Sequence, residues 1–367
     1  MKARCCPLLL GLEAANAALV AVLCVLLSAH ATLANSSGEI VRRGPFIKFF
    51  GPVLQQYSQY SPFMFSQPGW GSDLLFYCKN VYVAAQNQSC QRDRVYRIEH
   101  PRTNPLTDWQ NDDIAAEGDD THADDDLSCS PGVVIDRTGT WHLYYIGASR
   151  FDDMTLYLLH AVADAPGLQW RKVGLVKGIP QPLPFYFETP TPFLNEENDV
   201  STITIFLDGA GLRKMVSHDD GYTFTMQPQV IPTPWTNVQA GRVSIALPSG
   251  AAATPLHILC FSGGYMEQLP TSLTFVRSTD GGKSFNASIT TLLESSEADA
   301  APWFANGAVW SPHCRINNYT ATSVTMLVVF AGAQASAPPF WWGGATSIGG
   351  FEVEVKFEPD LQQKFEV

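Results

Sequence analysis

The chain has 367 residues, of which 46% are hydrophobic and only 16% are charged, with 28 glycines and 25 prolines. This composition favours a large, turn-rich β protein over a helical bundle. The net charge of −12 repels phosphate backbones and anionic lipid surfaces, so nucleic acids and membrane surfaces are not expected partners.

The first 34 residues are predicted to be a signal peptide. Lys2 and Arg4 supply positive charge, and residues 14–27 are apolar except for Asn16. Because this run is short for a membrane span, a cleaved signal is favoured over the alternative, an uncleaved signal anchor. The mature chain is therefore expected to be secreted or to reside in the lumen of the secretory pathway, with no membrane attachment after signal cleavage.

Cysteines and glycosylation sequons agree with an oxidising destination. Three of the eight cysteines lie in the signal segment, which leaves Cys78, Cys90, Cys129, Cys260 and Cys314. Cys78 and Cys90 flank a predicted hairpin and are the first expected disulfide. The odd number leaves one thiol that is free or pairs between molecules. The sequons begin at Asn35, Asn87, Asn286 and Asn318.

After a lead-in over residues 35–56, one pattern of strands and turns recurs up to residue 358, before a tail over residues 359–367. Each unit contains an apolar strand rich in β-branched or aromatic residues, which suits a pleated and buried surface. These strands are predicted at residues 74–78, 142–146, 203–207, 256–261 and 326–330.

The turns of the units repeat as well. Ser217-His-Asp-Asp-Gly-Tyr-Thr-Phe224 and Ser278-Thr-Asp-Gly-Gly-Lys-Ser-Phe285 share one pattern, and two degenerate copies end at Trp109 and Trp170. The closing aromatics are 61, 54 and 61 residues apart. A period of this size is typical of propellers and solenoids, and four strands with their turns occupy about that length.

These two turns resemble Asp-boxes, the repeats found in sialidases and other propellers. Residues 130–147 resemble a unit of the five-bladed furanosidase-type glycoside hydrolases, such as families 43 and 32. The resemblance implies an all-β, five-bladed β-propeller with units near residues 57–115, 125–180, 185–235, 238–292 and 300–358. A six-bladed propeller is the alternative.

The resemblance implies a central site with two carboxylates, one acting as acid and the other as base or nucleophile. Glu188, in Glu188-Thr-Pro190, matches the acid of those families, and its aromatic neighbours would raise its pKa. The other two carboxylate positions of the family are occupied here by Ser61 and Ser130. This departure puts the usual furanosidase mechanism in doubt.

An acidic segment before the second unit offers a substitute. Asp124, Asp125 or Asp126 would serve as the base, with Asp125 and Asp126 preferred, or the three would bind Ca²⁺ through clustered oxygens, with His122 nearby. The alternative is a solvated acidic loop, the usual state of like-charge runs. No cofactor is otherwise required.

The remaining candidates would contact a carbohydrate ligand. Arg242 and Arg315 lie in predicted inner strands and are the cations that a sialidase-like site would need for a substrate carboxylate. His313 begins the fifth unit, and Trp341 and Trp342 would stack on sugar rings or close the propeller by packing.

The sequence therefore predicts a secreted, carbohydrate-active propeller, most simply a glycoside hydrolase. The first alternative is an inactive glycan-binding or protein-interaction propeller, and the second is a sialidase-like hydrolase. One fold hosts many functions, so the central site must decide between them.

Overall fold

The computed structural model describes an all-β protein, and the described residues contain no helix. The described ranges are 38–50, 59–67, 69–82, 91–118, 123–124, 127–148, 155–165, 169–183, 189–197, 200–209, 211–227, 238–246, 255–263, 270–278, 280–285, 289–320, 322–334 and 346–357. The predicted signal peptide and C-terminal tail lie outside these ranges. Within them, no helix is long and apolar enough to cross a membrane.

The strands form consecutive antiparallel meanders, each built from a continuous piece of chain. The first contains β3 (Gln59–Phe65), β4 (Ser72–Tyr82), β5 (Gln91–Pro101) and β6 (Gln110–Ala116). The second contains β7 (Leu127–Ile135), β8 (Trp141–Ala148), β9 (Leu156–Ala163) and β10 (Arg171–Leu175). The third contains β11 (Pro190–Glu197), β12 (Val200–Gly209), β13 (Gly211–Ser217) and β14 (Thr225–Met226). The fourth contains β15 (Val238–Ala246), β16 (Leu256–Gly263), β17 (Ser272–Ser278) and β18 (Thr290–Glu294).

The last sheet combines both ends of the described chain. Strands β19 (Ala308–Tyr319), β20 (Ser323–Ala333) and β21 (Ser347–Lys356) pair in order, and β1 (Glu39–Arg43) and β2 (Ile47–Lys48) both pair with β21. The segment predicted as a lead-in thus supplies outer strands of this fifth meander. The two ends of the described chain therefore meet in one sheet.

The first strands of the five meanders form a closed ring of contacts. β3 contacts β7, β7 contacts β11, β11 contacts β15, β15 contacts β19, and β19 contacts β3. A single parallel bridge between Asp93 and Leu127 also joins the first two meanders into one sheet. The ring brings together residues that are far apart in sequence, which is what a central site requires.

The hydrophobic core consists of one layer between each pair of neighbouring meanders. For example, Phe76 packs with Leu143 between the first two, and Tyr77 packs with Val329 between the first and the last. The other three layers follow the same rule. Each meander therefore buries both of its faces. This explains why the five predicted apolar strands are apolar on both faces. They lie within β4, β8, β12, β16 and β20.

The two repeated turns have the same hydrogen bonds. The Ser217 hydroxyl accepts the Gly221 amide at 2.9 Å, and the Ser278 hydroxyl accepts the Gly282 amide at 2.8 Å. Each turn also has an aspartate that accepts backbone amides, and each ends on a buried phenylalanine, Phe224 or Phe285. The phenylalanine that ends each turn also anchors the turn to the hydrophobic core, so the residues of the two turns have a structural role.

The disulfides differ from the predicted pairing. Cys78 bonds to Cys129 rather than to Cys90, and Cys260 bonds to Cys314. The sequence-based pairing was wrong because it assumed a bridge within one hairpin, whereas each bond joins the second strand of one meander to the first strand of the next. Cys90 lies outside the described residues.

Candidate functional site

Three inner strands carry the same local distortion at a Ser-Pro pair. Ser61, Ser130 and Ser311 have φ angles of 49°, 49° and 51°, in the left-handed region that non-glycine residues rarely adopt. Each lies where the register of its strand shifts, on β3, β7 and β19. A bulge of this kind redirects a side chain, and the strained backbone costs about 1 kcal/mol or more at each position.

Ser61 and Ser130 meet where the inner strands β3 and β7 contact each other. Their hydroxyl oxygens are 3.5 Å apart, and both residues are buried. The Ser130 amide donates to the sulfur of Cys78 at 3.0 Å, so the disulfide supports this junction. These are the positions at which the family resemblance implies carboxylates. These two positions therefore carry neutral hydroxyls where the resemblance implied charge.

Arg242 lies beside this junction and is fully buried. Its Nη1 donates to the Pro190 carbonyl at 3.0 Å, and its Nη2 donates to the Ser61 carbonyl at 3.4 Å. The guanidinium also lies over the Phe63 ring, 5.2 Å from the centroid. Arg242 thus links the first, third and fourth meanders through backbone oxygens, which favours a structural role over contact with a ligand carboxylate.

His313 also packs against Phe63. The rings stack with centroids 4.7 Å apart, and the Met64 amide donates to Nδ1 at 2.8 Å. Burial and the positive charges of Arg242 and Arg315 hold the pKa of His313 well below its ordinary value. The imidazole is therefore neutral near pH 7, with its proton on Nε2.

Arg315 ties the last meander to the first. Its guanidinium forms an ion pair with buried Asp73, which also accepts from Arg102 at 2.8 Å and from Ser66 at 2.7 Å. Burial opposes ionisation, but the charge of Arg315 and the hydrogen bonds lower the pKa of Asp73. This network stabilises the closure of the ring.

Several predicted site residues lie outside the described ranges: Glu188, His122, Asp125, Asp126, Trp341 and Trp342. The residue after Glu188 is described, however. Thr189 is buried, and its hydroxyl donates to the Gly241 carbonyl at 2.8 Å. Thr189, directly before β11, is therefore anchored to the fourth meander.

Asp124 is the described member of the acidic segment, and it is fully buried. Its Oδ2 accepts from the Tyr145 hydroxyl and from the Lys172 ammonium, each at 2.8 Å. This oxygen therefore takes part in a buried ion pair. Across the described residues, no group of three or more His, Cys, Asp or Glu side chains is arranged to hold a metal.

No family model and no curated protein matches this chain. Solved structures do match it. The catalytic domain of a Coprinopsis cinerea family 62 α-L-arabinofuranosidase has a TM-score of 0.52 at 9% identity, over 88% of this chain and 97% of that one. A family 117 glycoside hydrolase of the marine bacterium Zobellia galactanivorans has a TM-score of 0.51 at 15% identity, over 87% and 90%. The Cellvibrio cellulosa α-L-arabinanase, solved with arabinohexaose, has a TM-score of 0.51 at 12% identity, over 79% and 90%.

The chain has the fold of the propeller glycoside hydrolases. At these identities the likeness concerns the fold, and the chemistry must be argued from the residues of this chain.

Sequence reasoning missed one polar pair in this propeller fold. The Tyr60 hydroxyl donates to the carboxylate of Asp93, which is 1% exposed. Tyr60 lies on β3 next to Ser61, and Asp93 lies on β5. The two belong to no local motif, and only their approach across the meander reveals them.

Proposed function

We propose that this protein is a secreted, five-bladed propeller that hydrolyses glycosidic bonds at the centre of its ring, with Glu188 as the general acid. The five meanders are its blades. The observation that carries the proposal is the convergence of the inner strands, in which Ser61, Ser130 and Pro190 are joined through Arg242 and a direct hydroxyl contact. In glycoside hydrolysis, groups from different parts of the chain must flank one bond, and this convergence supplies such a place.

The substrate class is a neutral glycan. The solved structures of similar fold include an α-L-arabinofuranosidase and an α-L-arabinanase, which supports furanosides as the first compounds to test. Arg242 donates to backbone carbonyls, and Arg315 contacts Asp73, Ser66 and Asn317 of the protein itself, which favours a neutral sugar over a sialoside. Trp341 and Trp342 are proposed to stack on the sugar, because aromatic faces bind sugar rings in such sites.

Turnover tests the proposal directly. The chain from residue 35 onward is secreted and assayed against fluorogenic furanosides, pyranosides and a sialoside, beside Glu188→Gln and the exposed control Glu117→Gln. We expect Glu188→Gln to lose about 10²–10⁴-fold in kcat, since a positioned acid contributes that much, and Glu117→Gln to match the wild type. Equal activity of Glu188→Gln and wild type would exclude Glu188 as the acid.

A second candidate function is glycan binding without hydrolysis. The replacement of two carboxylates by Ser61 and Ser130 favours it, since hydroxyls bind sugars but do not take a proton from water at neutral pH. A folded wild type that turns over none of the substrates, yet is retained by a glycan array, would support this function and exclude hydrolysis.

A further inference from the structure

Two histidines lie side by side on the face of the second meander that packs against the third. His142 is on β8 and His160 is on β9, and their rings stack with centroids 5.1 Å apart. His142 Nδ1 is 2.9 Å from His160 Nε2, and both side chains are at most 1% exposed. Asp136 Oδ2 lies 3.1 Å from the other ring nitrogen of His142. The two rings therefore form one buried, hydrogen-bonded pair.

The turn at Ser217–Phe224 of the third meander, here called the covering turn, lies against this pair. Tyr222 contacts both histidine rings, with centroid distances of 6.0 and 5.4 Å. The Tyr144 hydroxyl, on the same face of the second meander, donates to the Gly221 carbonyl at 2.9 Å. Gly221 has a φ of 90°, and a Cβ atom there would clash with this hydroxyl. Because Tyr222 is itself 39% exposed, its side chain lies between the histidines and solvent.

The contact between the two histidines limits the number of protons that the pair can bind. A nitrogen–nitrogen hydrogen bond needs one donor and one acceptor, so the closed pair can hold one added proton but not two. A second proton would place two N–H groups against each other and two positive charges in a buried place. Double protonation of the pair is therefore incompatible with the closed arrangement.

Charged and titratable groups face the pair from several elements. They are Asp136 in the turn before β8, Arg171 on β10, Asp219 and Asp220 in the covering turn, and the phenols of Tyr144 and Tyr222. The three carboxylates raise the histidine pKa values, although Asp220 is also 3.9 Å from the Arg137 guanidinium. Burial has the larger effect, and it lowers the pKa of both histidines, that of His160 to about 3.

We propose that acidification opens the boundary between the second and third meanders at the histidine pair, with the covering turn as the part that moves. A second proton requires water around both rings, and the covering turn separates the rings from solvent. Its displacement exchanges the hydrogen bond between Tyr144 and Gly221 for the hydration of two imidazolium groups. This opening is local to one boundary, and it does not depend on the proposed hydrolysis.

The size of the effect follows from proton linkage. In the open state His160 regains the ordinary histidine pKa of about 6.5, whereas in the closed state its pKa is about 3. The open state therefore binds more protons below pH 6.5, and the closed state is destabilised as the pH falls. For His160 alone, the opening equilibrium constant should rise about 30-fold between pH 7.5 and pH 5.

A buried thiol at each of two boundaries measures this opening. Met215 lies in the core layer between the second and third meanders, Met326 lies in the layer between the fourth and fifth, and neither side chain is exposed. Met215→Cys and Met326→Cys are therefore matched variants. Each also carries Cys90→Ser, because the other four cysteines of the mature chain are in disulfides. The opening constant is the rate of reaction with dithiodipyridine, divided by that of an unstructured cysteine peptide at the same pH.

We expect the opening constant of Met215→Cys to rise about 30-fold or more between pH 7.5 and pH 5, and to exceed that of Met326→Cys at pH 5. Adding His160→Gln should abolish most of the rise. Adding His257→Gln should leave it unchanged, because this buried histidine packs against Gly282 in the turn of the fourth meander. Thermal melting confirms that each variant is folded, and Leu158→Cys, equally buried in the same layer, replaces Met215→Cys if that variant does not fold.

Two results would overturn the proposal. Equal opening constants at the two boundaries would mean that the thiols react only when the whole chain unfolds. An opening constant of Met215→Cys that is the same at both pH values, or that rises equally with and without His160→Gln, would show that the histidine pair does not control this boundary.

Discussion

The pH dependence of stability follows from a buried histidine pair between the second and third meanders. His142 Nε2 contacts Asp136 Oδ2 at 3.1 Å, and His142 Nδ1 contacts His160 Nε2 at 2.9 Å. Asp136 is the acceptor at the first contact, so the neutral His142 carries its proton on Nε2 and accepts at Nδ1 from His160. Both rings are at most 1% exposed.

Burial, and then the neighbouring His142 and Arg171, lower the pKa of His160 from 6.5 to about 3, while Asp219 opposes the shift. Burial likewise lowers the pKa of His142, against the effect of Asp136. The unfolded chain therefore binds more protons than the folded chain below pH 6.5, and stability falls as the pH falls. For His160 alone, linkage gives a loss of about 2 kcal/mol between pH 7.5 and pH 5.

Replacing His160 by Gln keeps a donor toward His142 but removes the titration. We expect the variant to be less stable than wild type by about 1 kcal/mol at pH 7.5, and its loss between pH 7.5 and pH 5 to be smaller by about 2 kcal/mol. Urea unfolding at the two pH values measures both quantities. His218→Gln, at an exposed position on the adjoining turn, is the control. An equal loss in His160→Gln and wild type would refute the reasoning.

Three further predictions concern a disulfide, a buried arginine and a glycosylation site. The Cys260→Ala/Cys314→Ala double variant should lose on the order of 4 kcal/mol, because the disulfide closes a separation of 54 residues; an unchanged urea midpoint would contradict this. Arg242→Met should destabilise the chain by about 3 kcal/mol, since the carbonyls of Ser61 and Pro190 lose their donor; calorimetry that finds equal stability would argue against that role. Asn318 is exposed near the end of β19, so Asn318→Gln, secreted from eukaryotic cells, should migrate faster on a gel by one glycan; unchanged mobility would mean that the site is not used.

The sequence was a good guide to the strands and to the turns between them. The apolar segments at residues 203–207 and 326–330 are strands, as predicted, because their β-branched and aromatic side chains suit a sheet that is buried on both faces. The turns at Ser217 and Ser278 adopt one hydrogen-bond pattern, because a serine, an aspartate and a glycine at fixed spacing satisfy one another locally.

The contacts of the candidate site residues were harder to predict from the sequence than the strands and turns. Arg242, predicted to contact a ligand, has its described hydrogen bonds to backbone carbonyls, and nothing in its sequence neighbourhood indicated burial. Tyr60 and Asp93 are separated by an entire hairpin, so no motif joins them. Glu188 remains a prediction from its resemblance to the acid of the furanosidase-type propellers.

The sequence by itself determined the all-β class, the repeat length and the chemistry of the turns, because these depend on contacts between residues close together along the chain. The tertiary structure alone decided that Cys78 bonds to Cys129, that β1 completes the last sheet, and that Ser61 meets Ser130. The disulfide and the serine contact join different meanders, and β1 pairs with a strand from the other end of the chain. They follow from how the meanders pack around the ring, and hydrophobic periodicity describes which faces are buried but not which partner buries them.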